Sequence, residues 1–175
     1  MKLLDVIARY DEPHRHYHNG DHLRKVLGYI DALLLDAEDQ RILRYAAIFH
    51  DAVYDPASKR NELDSANLWW DWVIEQGPGM VRYQQKVWDL IMDTKHTLPP
   101  RGRLGRIICD ADLHELVTGS PELLHYNELL IRKEFLPLTD WPTYKEARIE
   151  FLSKWVERNP NVQTLIDTLR LSTHQ

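Results

Sequence analysis

Ile42-Leu43-Arg44-Tyr45-Ala46-Ala47-Ile48-Phe49 runs straight into the doublet His50-Asp51. From about Gln40 to Asp51 this stretch is apolar on nearly every side except at Arg41 and Arg44, the pattern of a central, buried helix. Working outward, Leu23, Val26, Leu27, Ile30, Leu33 and Leu34 follow helical periodicity over three turns. Asn19 is placed to cap that helix, which sets His22 in its first turn. Downstream, Asn61 opens a helix through Glu75 that Gly77-Pro78-Gly79 stops, and another follows from about Val81 to Lys95. After the Pro99-Pro100-Arg101-Gly102 break, a short helix over Ile107–Val117 ends near Gly119. Ser120-Pro121 and Asn159-Pro160 both read as a cap followed by proline in the first helical position. They start helices from Pro121 to about Phe135 and from Pro160 to Leu171, with one from Pro142 to Glu157 between them. No two-residue alternation, internal repeat or long linker interrupts the pattern. The expected class is all-α, a single domain over residues 1–175.

Composition narrows the function. At 175 residues and 43% hydrophobic content the chain is long enough for a sizeable core, yet no apolar run approaches the roughly 20 residues of a membrane span. The first residues lack the long apolar segment of a signal peptide, and the single cysteine fits a reducing, cytoplasmic setting. Cys109 lies in an apolar run and reads as a small buried residue. A formal net charge of -5 argues against charge-driven nucleic-acid binding. It leaves room for a phosphorylated small molecule, because a metal and a few local cations reverse the field within one cleft.

The doublet carries the chemistry. Burying an imidazole beside a carboxylate at the end of a core helix is costly unless something satisfies both. A divalent metal does so, and His22 upstream with Asp110-Ala111-Asp112 downstream supplies the further ligands. Imidazole and carboxylate together suit Mn²⁺, Fe²⁺, Co²⁺, Ni²⁺ or Zn²⁺, with Mg²⁺ as a further option. Adjacent side chains on a helix point about 100° apart. His50 and Asp51 therefore serve one ion only if the helix end itself forms a wall of the site.

The order His22, His50-Asp51, Asp112 resembles the HD-domain superfamily of metal-dependent phosphohydrolases. The flanking words sharpen the likeness: Tyr17-His18-Asn19-Gly20-Asp21-His22, Ala47-Ile48-Phe49-His50-Asp51-Ala52-Val53-Tyr54-Asp55, Asn61-Glu62-Leu63-Asp64-Ser65-Ala66, Thr94-Lys95-His96-Thr97 and Asp110-Ala111-Asp112-Leu113. They are similar to small stand-alone bacterial HD proteins, over roughly residues 10–135. The resemblance implies a helical HD-type bundle, and His22, His50, Asp51 and Asp112 as ligands of one divalent ion, with Asp110 the alternative to Asp112. Some HD enzymes hold two metals through extra histidines between the doublet and the last aspartate; His96 alone occupies that interval, which favours a mononuclear site. The implied reaction is hydrolysis of a phosphoester bond in a small phosphorylated compound, of nucleotide type, by a metal-activated water. Lys95, His96 or Arg15 would offset phosphate charge, and Glu62 or Asp55 would orient or deprotonate the water. His18, Arg15 and Arg132 are the expected substrate contacts.

Plainer readings stand beside these. His96 ends a helix, where a cation meets the dipole favourably, and Glu62 suits a helix N-terminus. Lys59-Arg60 reads as a solvated loop pair, and Glu128 with Arg132 as a surface i, i+4 ion pair. Trp69 and Trp72 share a helix face for packing, whereas Trp70 points elsewhere and, if exposed, suits a homodimer contact or a stacking platform. Two further functional classes remain: a metal-containing nucleotide sensor without turnover, and an HD fold serving only as an interaction module.

Overall fold

Polar caps mark where the helices begin. In the computed structural model, which describes residues 1–172, the Asn19 side chain accepts from the backbone amides of Asp21 and His22 and opens a helix at Gly20. Asp36 accepts from the amides of Glu38 and Asp39, Ser120 from Leu123, and Asp140 from Thr143. Each cap satisfies amide donors that the first turn otherwise leaves open. The elements are α1 (Leu3–Ile7), a 3₁₀ turn (Ala8–Asp11), α2 (Gly20–Asp31), α3 (Ala37–Phe49), α4 (Asn61–Gln76), α5 (Val81–Asp93), α6 (Gly102–Asp112), α7 (His114–Thr118), α8 (Pro121–Phe135), α9 (Trp141–Ser153) and α10 (Asn161–Leu171). Among the described residues there is no strand, so the chain is all-α. No described helix is long and apolar enough to cross a membrane.

Several boundaries differ from the sequence expectation for local reasons. The central helix starts at Ala37 rather than near Gln40, because Asp36 is its cap. Asn61 lies inside α4; its side chain accepts from the Asp55 amide and donates to the Asp55 carbonyl, closing the loop before the helix. The helix expected over Ile107–Val117 begins at Gly102 and is broken at Leu113, whose φ of -91° and ψ of 8° leave the helical region. The chain divides there into two compact units, Met1–Asp112 and Leu113–Gln175.

In the first unit α3 is the hub, packing against α1, α2, α4, α5 and α6. Ile42, Leu43, Ala46, Ala47 and Phe49 are buried, as the apolar run requires. The two arginines of that run are accommodated at its edges: Arg41 donates to the Tyr83 hydroxyl, and Arg44 pairs with Asp31 at 2.8 Å. Trp69 and Trp72 stack on one another and meet Phe49, while Trp70 faces outward. The end of α5 approaches α6 closely. A Cβ on Gly105 would stand 2.4 Å from Asp93 Oδ2 and 3.2 Å from the Pro100 carbonyl carbon.

The second unit has its own core of Leu124, Trp141, Tyr144, Leu152, Val162, Leu165, Ile166 and Leu169. Glu128 is buried within it rather than lying on the surface. Its carboxylate accepts from the Tyr144 hydroxyl at 2.5 Å and from Arg148 Nε at 2.7 Å. The anticipated Glu128–Arg132 helix pair gives way to this inward network, and the Arg132 guanidinium lies 4.0 Å from the centre of the Trp141 ring. Burial, reinforced by the Glu128 charge, pushes the Tyr144 phenol well above its ordinary value.

Two outcomes follow from this packing. Gly105→Ala crowds a buried carboxylate that already accepts the Arg101 amide, and costs about 1–3 kcal/mol, read as a lower melting temperature. Tyr144 is neutral in the folded chain while its unfolded form ionises near pH 10, so the unfolded state binds fewer protons above that pH. Stability therefore falls as pH rises past about 10, and in Tyr144→Phe, less stable at neutral pH, that alkaline loss is shallower. Chemical denaturation across pH 7–11 checks both signs.

Candidate metal centre

The buried end of α3 gathers side chains from three helices. His22 comes from the first turn of α2, His50 and Asp51 from the end of α3, and Asp112 from the last position of α6. His22 Nε2 stands 3.2 Å from His50 Nε2, 3.1 Å from Asp112 Oδ1 and 3.7 Å from Asp51 Oδ2. His50 Nε2 stands 3.1 Å from Asp51 Oδ2 and 3.6 Å from Asp112 Oδ1. His22, His50 and Asp112 form a mutually close donor group able to hold a metal ion. With metal–ligand bonds of about 2.1 Å, neighbouring ligand atoms lie about 3.0 Å apart in an octahedron and about 3.4 Å apart in a tetrahedron. The separations of 3.1 and 3.2 Å fall in that range, and those of 3.6 and 3.7 Å lie slightly above it.

Tautomer and charge agree with the spacing. His50 Nδ1 faces the Ala47 carbonyl at 2.8 Å, so it carries a proton and donates, and a cation displacing the Nε2 proton would find that nitrogen's lone pair directed at the cluster. Burial alone would lower the basicity of His50. The carboxylate of Asp51, the Tyr10 oxygen, and hydrogen bonds to Asp112 and Asp51 outweigh it, and its pKa lies well above the ordinary imidazole value. Burial likewise opposes ionisation of the two acids, but His50 beside Asp51 holds that carboxyl well below the usual range. Hydrogen bonds from His22, His50 and His96 do the same for Asp112. The site is therefore a pair of ionised, partly buried carboxylates whose field favours positive charge between them.

The doublet's adjacent side chains converge because the helix ends there. The His50 amide still bonds to the Ala46 carbonyl, but the Ala52 amide bonds to that of Phe49, tightening the last turn. The segment before α2 folds back over this turn. The Tyr10 hydroxyl donates toward the Ile48 carbonyl at 3.1 Å and accepts the Asp51 amide at 3.3 Å. Arg15 donates to the carbonyls of Asp51 at 2.6 Å, Ala52 at 3.4 Å and His18 at 3.2 Å, and pairs with Glu12. Its guanidinium also lies 5.2 Å and 5.3 Å from the ring centres of Tyr10 and Tyr54.

The other expected site residues fare differently. Arg15 was expected to meet phosphate, but its side chain is 0% exposed and spent on the chain's own carbonyls, so it braces the turn. His18 stacks on Tyr54 at 4.4 Å and meets the His22 ring edge-on at 5.9 Å, beside the cluster. His96 joins it directly, with Nε2 2.8 Å from Asp112 Oδ2. Lys95 donates its ammonium to the Lys59 carbonyl at 3.0 Å, and Glu62 is half-buried in the first turn of α4; both lie outside the mutually close donor group. Arg132 belongs to the second unit. Asp112 is in that donor group; Asp110 and the expected ligand Asp51 are not, though Asp51 Oδ2 stands 3.1 Å from His50 Nε2. Cys109 is buried and directs its thiol at the Asp93 carbonyl; burial, with the nearby aspartates, pushes the thiol up to about 12. Sequence reading passed over Tyr10 and Tyr54. Their contacts span about forty positions, and the only local signal is the density of aromatic and histidine residues over 10–18.

No family model, curated protein or solved structure matches the chain.

After loading with excess manganese or cobalt and desalting, the native protein is expected to retain metal and Asp112→Asn to lose it. Asp51→Ala is expected to lose it as well, while His96→Ala, which removes no ligand atom, loses less than either. Elemental analysis of the purified variants decides each case, and full occupancy in Asp51→Ala would remove Asp51 from the ligand set.

Proposed function

We propose that this chain is a metal-dependent phosphohydrolase that cleaves a phosphoester bond of a small phosphorylated compound of the nucleotide class. The observation that carries the reading is the convergence of His22 Nε2, His50 Nε2 and Asp112 Oδ1 within 3.1–3.6 Å at a buried helix end. In this reading Asp51 completes the ligand set. A divalent cation in that position supplies Lewis-acid polarisation of a phosphoryl oxygen and lowers the pKa of water toward neutrality.

The chain's own residues supply orientation and charge. With a cation bound, His50 would keep only its Nδ1 proton, on the Ala47 carbonyl, which fixes the ring plane and leaves Nε2 as the ligand. Asp51 and Asp112 neutralise a divalent charge, so the loaded site carries little net charge and tolerates an approaching phosphate. Lys95 supplies a cation for phosphate, and Glu62 serves as the base that orients water. His18, stacked on Tyr54 beside His22, offers an aromatic surface at the edge of the cluster.

The deciding experiment incubates manganese- or cobalt-loaded protein with a panel of nucleoside mono-, di- and cyclic phosphates and follows release of phosphate or nucleoside. Turnover is expected with at least one member, lost in Asp112→Asn by a factor of about 10³ or more. Tight binding of one nucleotide with no turnover of any would replace the enzyme by a metal-containing sensor.

A further inference from the structure

His96 is in a conformation that histidine rarely adopts. It follows the C-terminal turn of α5 with a φ of 54°, and is the non-glycine residue with positive φ among those described. At that point of a helix terminus glycine is the common choice, because a Cβ crowds the backbone in the left-handed region. Its amide still bonds to the Asp93 carbonyl at 3.2 Å, so the turn is a formed one. Asp93 then ties the turn to α6 and the residue before it: its buried carboxylate accepts the Arg101 amide at 2.9 Å, and its carbonyl receives the Cys109 thiol of α6. Backbone strain persists where surrounding structure over-determines it, and its location is informative.

The imidazole shows what the strained position accomplishes. His96 Nε2 is 2.8 Å from Asp112 Oδ2, with the ring 13% exposed. An ionised carboxylate only accepts, so the histidine Nε2–H is the donor. The other oxygen, Oδ1, is the one 3.1 Å from His22 Nε2 and 3.6 Å from His50 Nε2. A carboxylate free to rotate would exchange its two oxygens and lose this direction.

We propose that His96 is the positioning residue of Asp112, held in a left-handed backbone so that its Nε2–H takes Oδ2 and presents Oδ1 to the two histidines. The proposal rests on the metal reading of that cluster, and it assigns His96 an action through Asp112 rather than on an ion or a substrate.

Three variants separate backbone from side chain. Both His96→Gly and His96→Ala remove the imidazole, but glycine alone relieves the left-handed strain. His96→Gln keeps an N–H near the position of Nε2. In metal-free thermal melts, His96→Gly is expected to melt about 2–4 °C above His96→Ala. In cobalt titrations, glycine and alanine are expected to weaken affinity equally, by about 10–100-fold, and glutamine to stay within about threefold of native. At saturating cobalt the visible absorption bands of all three are expected to match the native ones. Affinities that follow the melting order would reduce His96 to a structural residue and overturn the proposal. So would native affinity in His96→Gly, equal melting of glycine and alanine, or a glutamine variant as weak as alanine. Shifted bands at saturation would make His96 a direct ligand and overturn it too. If the unaltered protein binds no cobalt, the metal reading fails and the proposal with it. Failure of the proposal alone is distinguished by intact native affinity.

Discussion

Two carboxylates and two imidazoles meet within 3.1–3.7 Å at the buried end of α3, and the first unit is organised around making that tolerable. Ionised acids removed from water need compensating positive charge or several donors each. Here they receive imidazoles from α2 and α3 and, at Asp112, a third from the turn after α5. The same arrangement explains why the central helix, otherwise packed on Trp69 and its neighbours, ends in polar residues without reaching the surface.

Holding such a cluster requires a backbone that does not yield. The segment from Tyr10 to His18 provides it, with the Tyr10 hydroxyl and the Arg15 guanidinium taking up the amide and carbonyls around His50 and Asp51. Arginine suits this task because its planar fork presents several donors at once and its faces rest on aromatic rings. That commitment removes it from solvent. A residue type chosen for phosphate recognition in a sequence reading thus becomes a brace once its carbonyl partners are in place. On the opposite side, Asp93 performs a comparable service for the turn bearing His96.

The likeness between charge placement in the two units is instructive. Glu128 in the second unit is also a buried acid, but tyrosine and arginine satisfy it completely in geometry suited to a packed core. The acids beside α3 instead face ring nitrogens at spacings that suit an inserted cation, and this difference sets the candidate site apart from a structural ion pair.

Legibility followed the range of the interactions. Asn19 and Ser120 announced their helices because capping is a contact over two or three residues, and α3 announced its burial through composition alone. Asp36 and Asp140 cap in the same way but were passed over for the later Gln40 and Pro142, and the break at Leu113 has no glycine or proline to mark it. His22, His50, Asp51 and Asp112 were recognisable as a set since each residue type is suited to a divalent ion and costly in its apolar setting. The sequence by itself therefore determined an all-helical chain and nominated the ligating atoms, because periodicity, caps and donor chemistry are written locally. Only the tertiary structure decided that Asp112 rather than Asp110 joins the histidines, that Arg15 faces inward, and that His96 grips the far oxygen of Asp112. Those outcomes depend on which side chains are brought within hydrogen-bond reach of one another, a consequence of long-range packing that no short window of residues encodes.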